Sequence, residues 1–126
     1  MSHKFNAAVL RQPGLERPYT DSQPLHIEEV EFRPPGQGEV LVRIAAASLC
    51  RSDLSVVSGV RAWPLPIIPG HEASGVVEEV GASVQSVKPG DPVALVFQPR
   101  CGVCPDCLAG DAHLCEPGLM ANRSGG

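Results

Sequence analysis

Four cysteines crowd into fifteen residues as Cys101-x2-Cys104-x2-Cys107-x7-Cys115. Thiolate sulfur is a preferred ligand of structural zinc, which takes four donors in a tetrahedron and then has no position left for a substrate. Two intervening residues let successive cysteines curl onto one ion, and Gly102, Pro105 and Gly110 supply the sharp turns this needs. Such a site is structural: the lobe of residues 100–117 has almost no apolar core and would be folded by its metal. The same thiols offer two other chemistries, a pair of disulfides or an iron–sulfur cluster, since three closely spaced cysteines also occur in some ferredoxin patterns. Disulfide frameworks, however, usually spread their cysteines to staple distant loops. His113 could stand in for one cysteine, but beside four thiols it reads as a solvated loop residue.

The fifth cysteine lies in Leu49-Cys50-Arg51-Ser52-Asp53, and twenty-one positions after it comes His71 in Pro69-Gly70-His71-Glu72. Alone, a cysteine at a strand end is a small buried hydrophobe and a histidine after glycine a turn residue. One chemistry would join them. A thiolate and an imidazole are two of the ligands a catalytic zinc takes, and carboxylates such as Asp53 and Glu72 can orient the imidazole. On the residues alone both readings stand.

The elements that must position these groups read as short strands. Residues 4–10 and 25–31 are candidates, the latter with Leu25, Ile27 and Val30 in rough alternation. Residues 39–47 are clearest, with Val40, Val42 and Ile44 on one face and Leu41 and Arg43 on the other. A turn cluster at 34–38 precedes them. Residues 73–80 form a further strand, and the turn Lys88-Pro89-Gly90-Asp91 feeds an apolar run at 92–97, short enough for a buried strand. Only residues 50–57 have helical character, with Ser52 or Asp53 as caps. From Arg100 onward a loop wraps the cysteines, and 121–126 form an untethered tail. Thirteen glycines and thirteen prolines argue against a helical bundle. The expected fold is mainly β: a small, mostly antiparallel barrel with one short helix and a metal-clipped lobe.

The segments LCRSDLSVVSG, PLPIIPGHEASGVVEEVG and VKPGDPV, followed by the tetrad, resemble the N-terminal half of zinc-dependent alcohol dehydrogenases of the medium-chain dehydrogenase/reductase superfamily. The resemblance runs from about Phe5 to Cys115, in order and with matching spacings. It implies the GroES-like β-barrel of that family's catalytic domain, here residues 1–126, without a nucleotide-binding domain. It implies that Cys50 and His71 are ligands of a catalytic zinc and that Cys101, Cys104, Cys107 and Cys115 hold a structural one. Asp53 would orient His71, Glu72 would be a carboxylate beside the metal able to ligate it transiently, and Ser52 would relay the alcohol proton. Arg51 would meet the pyrophosphate of NAD or NADP, a task suited to a fixed planar cation. Phe97 would wall the substrate pocket and Trp63 lie near its mouth. The implied partners are a small alcohol or aldehyde and further copies of the protein, as a dimer or tetramer.

Three departures accompany the resemblance. No G-x-G-x-x-G fingerprint occurs, a third ligand of the catalytic zinc is not found, and Ser55 stands where many relatives have a relay histidine. The 126 residues by themselves are therefore expected to be inactive.

Composition narrows the alternatives. Apolar residues make up 43% and charged residues 19%, as in a folded domain of one modest core. The net charge is −4 and the Lys and Arg residues are scattered singly, so no basic face exists to hold a nucleic acid. A zinc-ribbon reading also lacks the long insert between two CxxC pairs. No apolar run approaches the ~20 residues of a membrane span, and no secretory signal is evident. With clustered thiols, a cytoplasmic location is expected. The competing class is a zinc-stabilised barrel used for binding or assembly, without chemistry.

Overall fold

A computed structural model describes residues 3–124. Strand β1 (His3–Leu10) pairs antiparallel with β2 (Leu25–Phe32) from His3 opposite Phe32 to Leu10 opposite Leu25. Between them lies the single-turn helix α1 (Tyr19–Ser22). Strands β3 (Val40–Ser48), β4 (Glu72–Val80) and β5 (Pro92–Leu95) form a second antiparallel sheet in that order. Helix α2 (Arg51–Val57) follows β3. Leu10 also bridges to Ile67 in the segment between α2 and β4, and an ion pair at 3.0 Å joins His3 of the first sheet to Glu79 of the second. These strands and the antiparallel pairing are those expected of a GroES-like fold, although closure into one continuous barrel is not seen among the described residues.

The core is small. Leu10, Val56 and Val57 are buried together, with Tyr19, Leu25, Trp63 and Ile67 packed around them. Helix α2 thus presents one end to the metal-ligand candidates and its last turn to the core. Its start differs from expectation: Cys50 is the N-cap, and Asp53, in the first turn, accepts the Cys50 backbone N–H at 2.8 Å.

Other differences have identifiable causes. The expected buried face of β3 is not found, since Val40 and Ile44 are exposed, and its pairing with β4 shifts register between Leu41 and Val42, where Glu78 is passed over, and between Ile44 and Ala46, where Ala45 is. Opposite the second shift stands Gly75, where a Cβ would overlap the Arg43 carbonyl oxygen; only glycine admits this approach. The run at 92–97 is not a buried strand: β5 ends at Leu95, and Leu95, Val96 and Phe97 are 41%, 75% and 59% exposed.

Nor is the lobe all loop. It contains α3 (Pro105–Ala109), a 3₁₀ turn (Ala112–Leu114) and α4 (Glu116–Ser124). Pro105 sits at the N-terminus of α3, where its missing N–H costs nothing, and Gly110 closes it at φ 92°. The expected tail is helical through Ser124, and residues 125–126 lie outside the described residues.

Candidate metal centres and substrate cleft

The four lobe cysteines come from separate pieces of backbone. Cys101 precedes the first turn, Cys104 caps α3, Cys107 lies within α3, and Cys115 links the 3₁₀ turn to α4. Their sulfur atoms all lie within 4.8 Å of one another, with Cys101 and Cys107 at 4.0 Å. A tetrahedron of zinc–sulfur bonds of about 2.3 Å places its sulfurs about 3.8 Å apart, so the donor set fits one zinc ion. All five cysteines are free thiols, not disulfides, and a multi-iron cluster with its own sulfides would need the thiolates farther apart.

Backbone amides surround these sulfurs. The N–H groups of Val103 and Cys104 donate to Cys101 Sγ at 3.5 and 3.3 Å, and those of Cys101 and Gly118 to the buried Cys115 Sγ at 3.2 and 3.3 Å. The Val103 and Cys104 amides hold the Cys101 thiol down to about 6. At Cys104 the Cys107 amide pulls the same way, but burial and the neighbouring sulfurs prevail and the thiol is raised. The two thiols are thus pushed in opposite directions. Two supporting residues escaped the sequence reading. Gln98 donates from Nε2 to the carbonyls of His113 and Cys115 at 3.0 and 3.2 Å. Gly118 packs so tightly that a Cβ would overlap the Pro99 carbonyl oxygen. Nothing local to the sequence marks either. His113 stays outside the sulfur cage and is exposed.

Some distance along the chain, Cys50, His71 and Glu72 also bring their ligand atoms within 4.8 Å of one another. Cys50 lies at the junction of β3 and α2, and His71 and Glu72 at the start of β4, so sheet pairing closes the twenty-one-residue gap. Asp53 organises them. Its Oδ2 accepts the Cys50 amide, and its Oδ1 accepts the Gly70 amide and faces His71 Nδ1, both at 3.1 Å. That contact leaves Nε2 toward Glu72, 3.9 Å from its Oε1. Burial pushes the Asp53 carboxyl up, but these three donors outweigh it and its pKa is lowered. The Ser52 hydroxyl and amide, chiefly, lower the Cys50 thiol. Ser48, opposite Glu72 in the ladder, donates to Glu72 Oε2 at 2.9 Å; this contact was not foreseen.

The remaining candidates divide by place. Phe97 meets the His71 ring edge-on, with centroids 6.3 Å apart. Trp63, Phe97, Ser52 and His71 line one broad, mostly apolar cleft. Arg51 is exposed at the first position of α2 and lies outside that cleft.

Fold and thiol geometry together define a zinc-type GroES-like domain. The chain belongs to the alcohol dehydrogenase GroES-like domain family, whose model matches residues 36–126. A Mycobacterium tuberculosis protein provisionally named alcohol dehydrogenase D is 46% identical over 115 residues, 91% of this chain and 29% of that protein. The cobalt- and zinc-bound thermostable alcohol dehydrogenase from Pyrobaculum aerophilum is 40% identical at a TM-score of 0.76, over 92% of this chain and 33% of that one. The alcohol dehydrogenase zinc-binding domain protein from Burkholderia ambifaria is 36% identical at a TM-score of 0.85, over 100% of this chain and 32% of that one. The chain spans about a third of the length of these relatives.

Proposed function

We propose that this chain is the substrate-side catalytic part of a zinc-dependent, NAD(P)-linked alcohol dehydrogenase that oxidises alcohols to aldehydes or ketones. The observation that carries the reading is the convergence of Cys50, His71 and Glu72, with Asp53 fixing the imidazole so that Nε2 faces the other two donors. A sulfur, an imidazole nitrogen and a carboxylate form a donor set that suits zinc. Zinc held by Cys50, His71 and Glu72 would supply Lewis acidity to the alcohol oxygen, and a nicotinamide cofactor would supply the hydride acceptor.

The residues of this chain have distinct tasks in that scheme. Cys50 and His71 hold the site, and Asp53 keeps the proton on Nδ1. Ser52, at the cleft wall, accepts and passes on the hydroxyl proton; Ser55, which stands where many relatives have an imidazole, donates its hydroxyl to the Ser52 carbonyl at 2.7 Å. Phe97 and Trp63 exclude water from the apolar side of the substrate. Arg51, clear of the cleft and exposed, is available for the cofactor pyrophosphate. The tetrad keeps the lobe of residues 100–117 folded. The whole protein is proposed to be a cytoplasmic dimer or tetramer acting on a small alcohol or aldehyde.

Metal stoichiometry tests this reading. The chain should hold one zinc firmly and a second weakly, and Cys50→Ala should abolish only the second. A scaffold without chemistry would hold one zinc and be indifferent to Cys50→Ala, which would refute the proposal. In the whole protein, absence of NADH formation from every member of a panel of primary and secondary alcohols would refute the reaction.

A further inference from the structure

Among the described residues, one charge in the cleft has no ionic partner. Of its charged lining residues, Arg11 is held bidentately by Glu28 at 2.8 and 2.6 Å, and Asp53 is committed to His71 and two backbone amides. Arg61 has no ion pair or side-chain hydrogen bond among the described residues. Its guanidinium instead lies over the Trp63 ring, 5.0 Å from the centroid. Both ends of this arrangement are anchored: the Arg61 amide donates to the Ser55 carbonyl at 2.9 Å, and Trp63 packs against the Leu10–Val56–Val57 core.

A cation held over an indole face meets no oxygen acceptor there, so its N–H donors remain for another partner. A planar cation held this way is ready to take a carboxylate through two parallel hydrogen bonds, with the entropy of ordering its long side chain already partly spent on Trp63. The cleft that Arg61 and His71 both line is otherwise mainly apolar, including Pro64, Ile68 and Phe97. We infer that Arg61 is a specificity-determining residue and that the preferred substrates carry an apolar body with a carboxylate at the end opposite the hydroxyl or carbonyl. The placement of the hydroxyl end rests on the dehydrogenase reading; the anion site at Arg61 does not.

Trp63 is the only tryptophan of the chain, so its fluorescence reports on Arg61 directly. The experiment titrates the zinc-loaded chain with ω-hydroxyhexanoate and, separately, with hexanol, for the wild type, Arg61→Lys and Arg61→Leu. The wild type should bind the carboxylate ligand roughly tenfold or more tightly than hexanol, and this preference should shrink as salt is added. Arg61→Lys should keep part of the preference, since it retains the charge but not the fork, and Arg61→Leu should lose it while leaving hexanol affinity within about twofold. Equal affinity for the two ligands, no saturable response to the carboxylate ligand, or a preference that survives Arg61→Leu would overturn the inference. Hydride transfer is not read, so this outcome is separable from failure of the dehydrogenase reading, which the Cys50-dependent second zinc reports.

Discussion

Replacing Asp53 by Asn leaves shape almost untouched and exposes how much the second centre depends on one carboxylate. In the native arrangement Oδ2 takes the Cys50 amide at 2.8 Å while Oδ1 takes the Gly70 amide and His71 Nδ1 at 3.1 Å each. A side-chain amide offers one acceptor and one donor. If its oxygen occupies the Oδ1 position, the NH2 confronts the Cys50 N–H and that amide is orphaned at the start of α2. If the oxygen takes the Oδ2 position, the NH2 confronts the Gly70 amide and Nδ1. The imidazole must then carry its proton on Nε2, the nitrogen that faces Cys50 and Glu72, where it blocks ligation. Either way a charge-assisted hydrogen bond is replaced by a donor facing a donor, at a cost of about 2–3 kcal/mol. Loss of the orienting carboxylate should weaken metal at this centre roughly 10- to 100-fold. The assay is zinc competition with a chromophoric chelator alongside urea denaturation. The weakly held ion should be lost at lower chelator concentration while the tetrad ion is retained, and the unfolding midpoint should fall. An Asp53→Asn chain that held its second zinc as tightly as the wild type would refute the reasoning.

Other perturbations probe the remaining parts of the fold. Cys115→Ser should release the firmly bound zinc and make residues 100–117 the first site of limited proteolysis, because the buried Cys115 sulfur also receives the Cys101 and Gly118 amides; a chelator should do the same to the wild type. Leu10 is fully buried against Val56 and Val57, so Leu10→Ala should cost about 2–5 kcal/mol in denaturant unfolding. The Glu39 carboxyl, held chiefly by the Arg33 guanidinium and also by the Gly36 amide, should titrate by NMR at about 2 and move upward in Arg33→Gln. Because its folded pKa is depressed, the contribution of Glu39 to stability is complete above the ordinary glutamate range and disappears as pH falls through about 2.

How much of this was legible beforehand follows from how locally each feature is determined. The tetrad could be read because all four donors lie within fifteen residues, and spacing alone constrains where they can go. Cys50 and His71 could not be joined by spacing; α2 and the segment 58–70 intervene, and only the resemblance to known dehydrogenases paired them before the ladder from Val40 opposite Val80 to Ser48 opposite Glu72 did. The extra residue at Ala45 in β3 was invisible because the close approach beside it belongs to Gly75 on another strand rather than to any residue in 40–48. The helices of the lobe were missed for a different reason. Segments of five to nine residues carry little apolar periodicity, and what starts and stops α3 is Pro105 and Gly110, which had been counted only as turn formers.

The two centres are built to different degrees of closure, and the difference lies in what else each donor can bond. Around the tetrad the sulfurs take backbone amides that belong to the lobe itself, so ligation and folding there are one event. At the second centre the supporting bonds exist independently of any metal: Asp53 ties Cys50, Gly70 and His71 together, and Ser48 gives Glu72 a resting partner across the β3–β4 ladder. The framework is therefore set by the sheet and by α2 before a ligand arrives. Glu72, exposed and already hydrogen-bonded, is the donor that exchanges most readily. The second centre is thus a preformed frame with one exposed carboxylate.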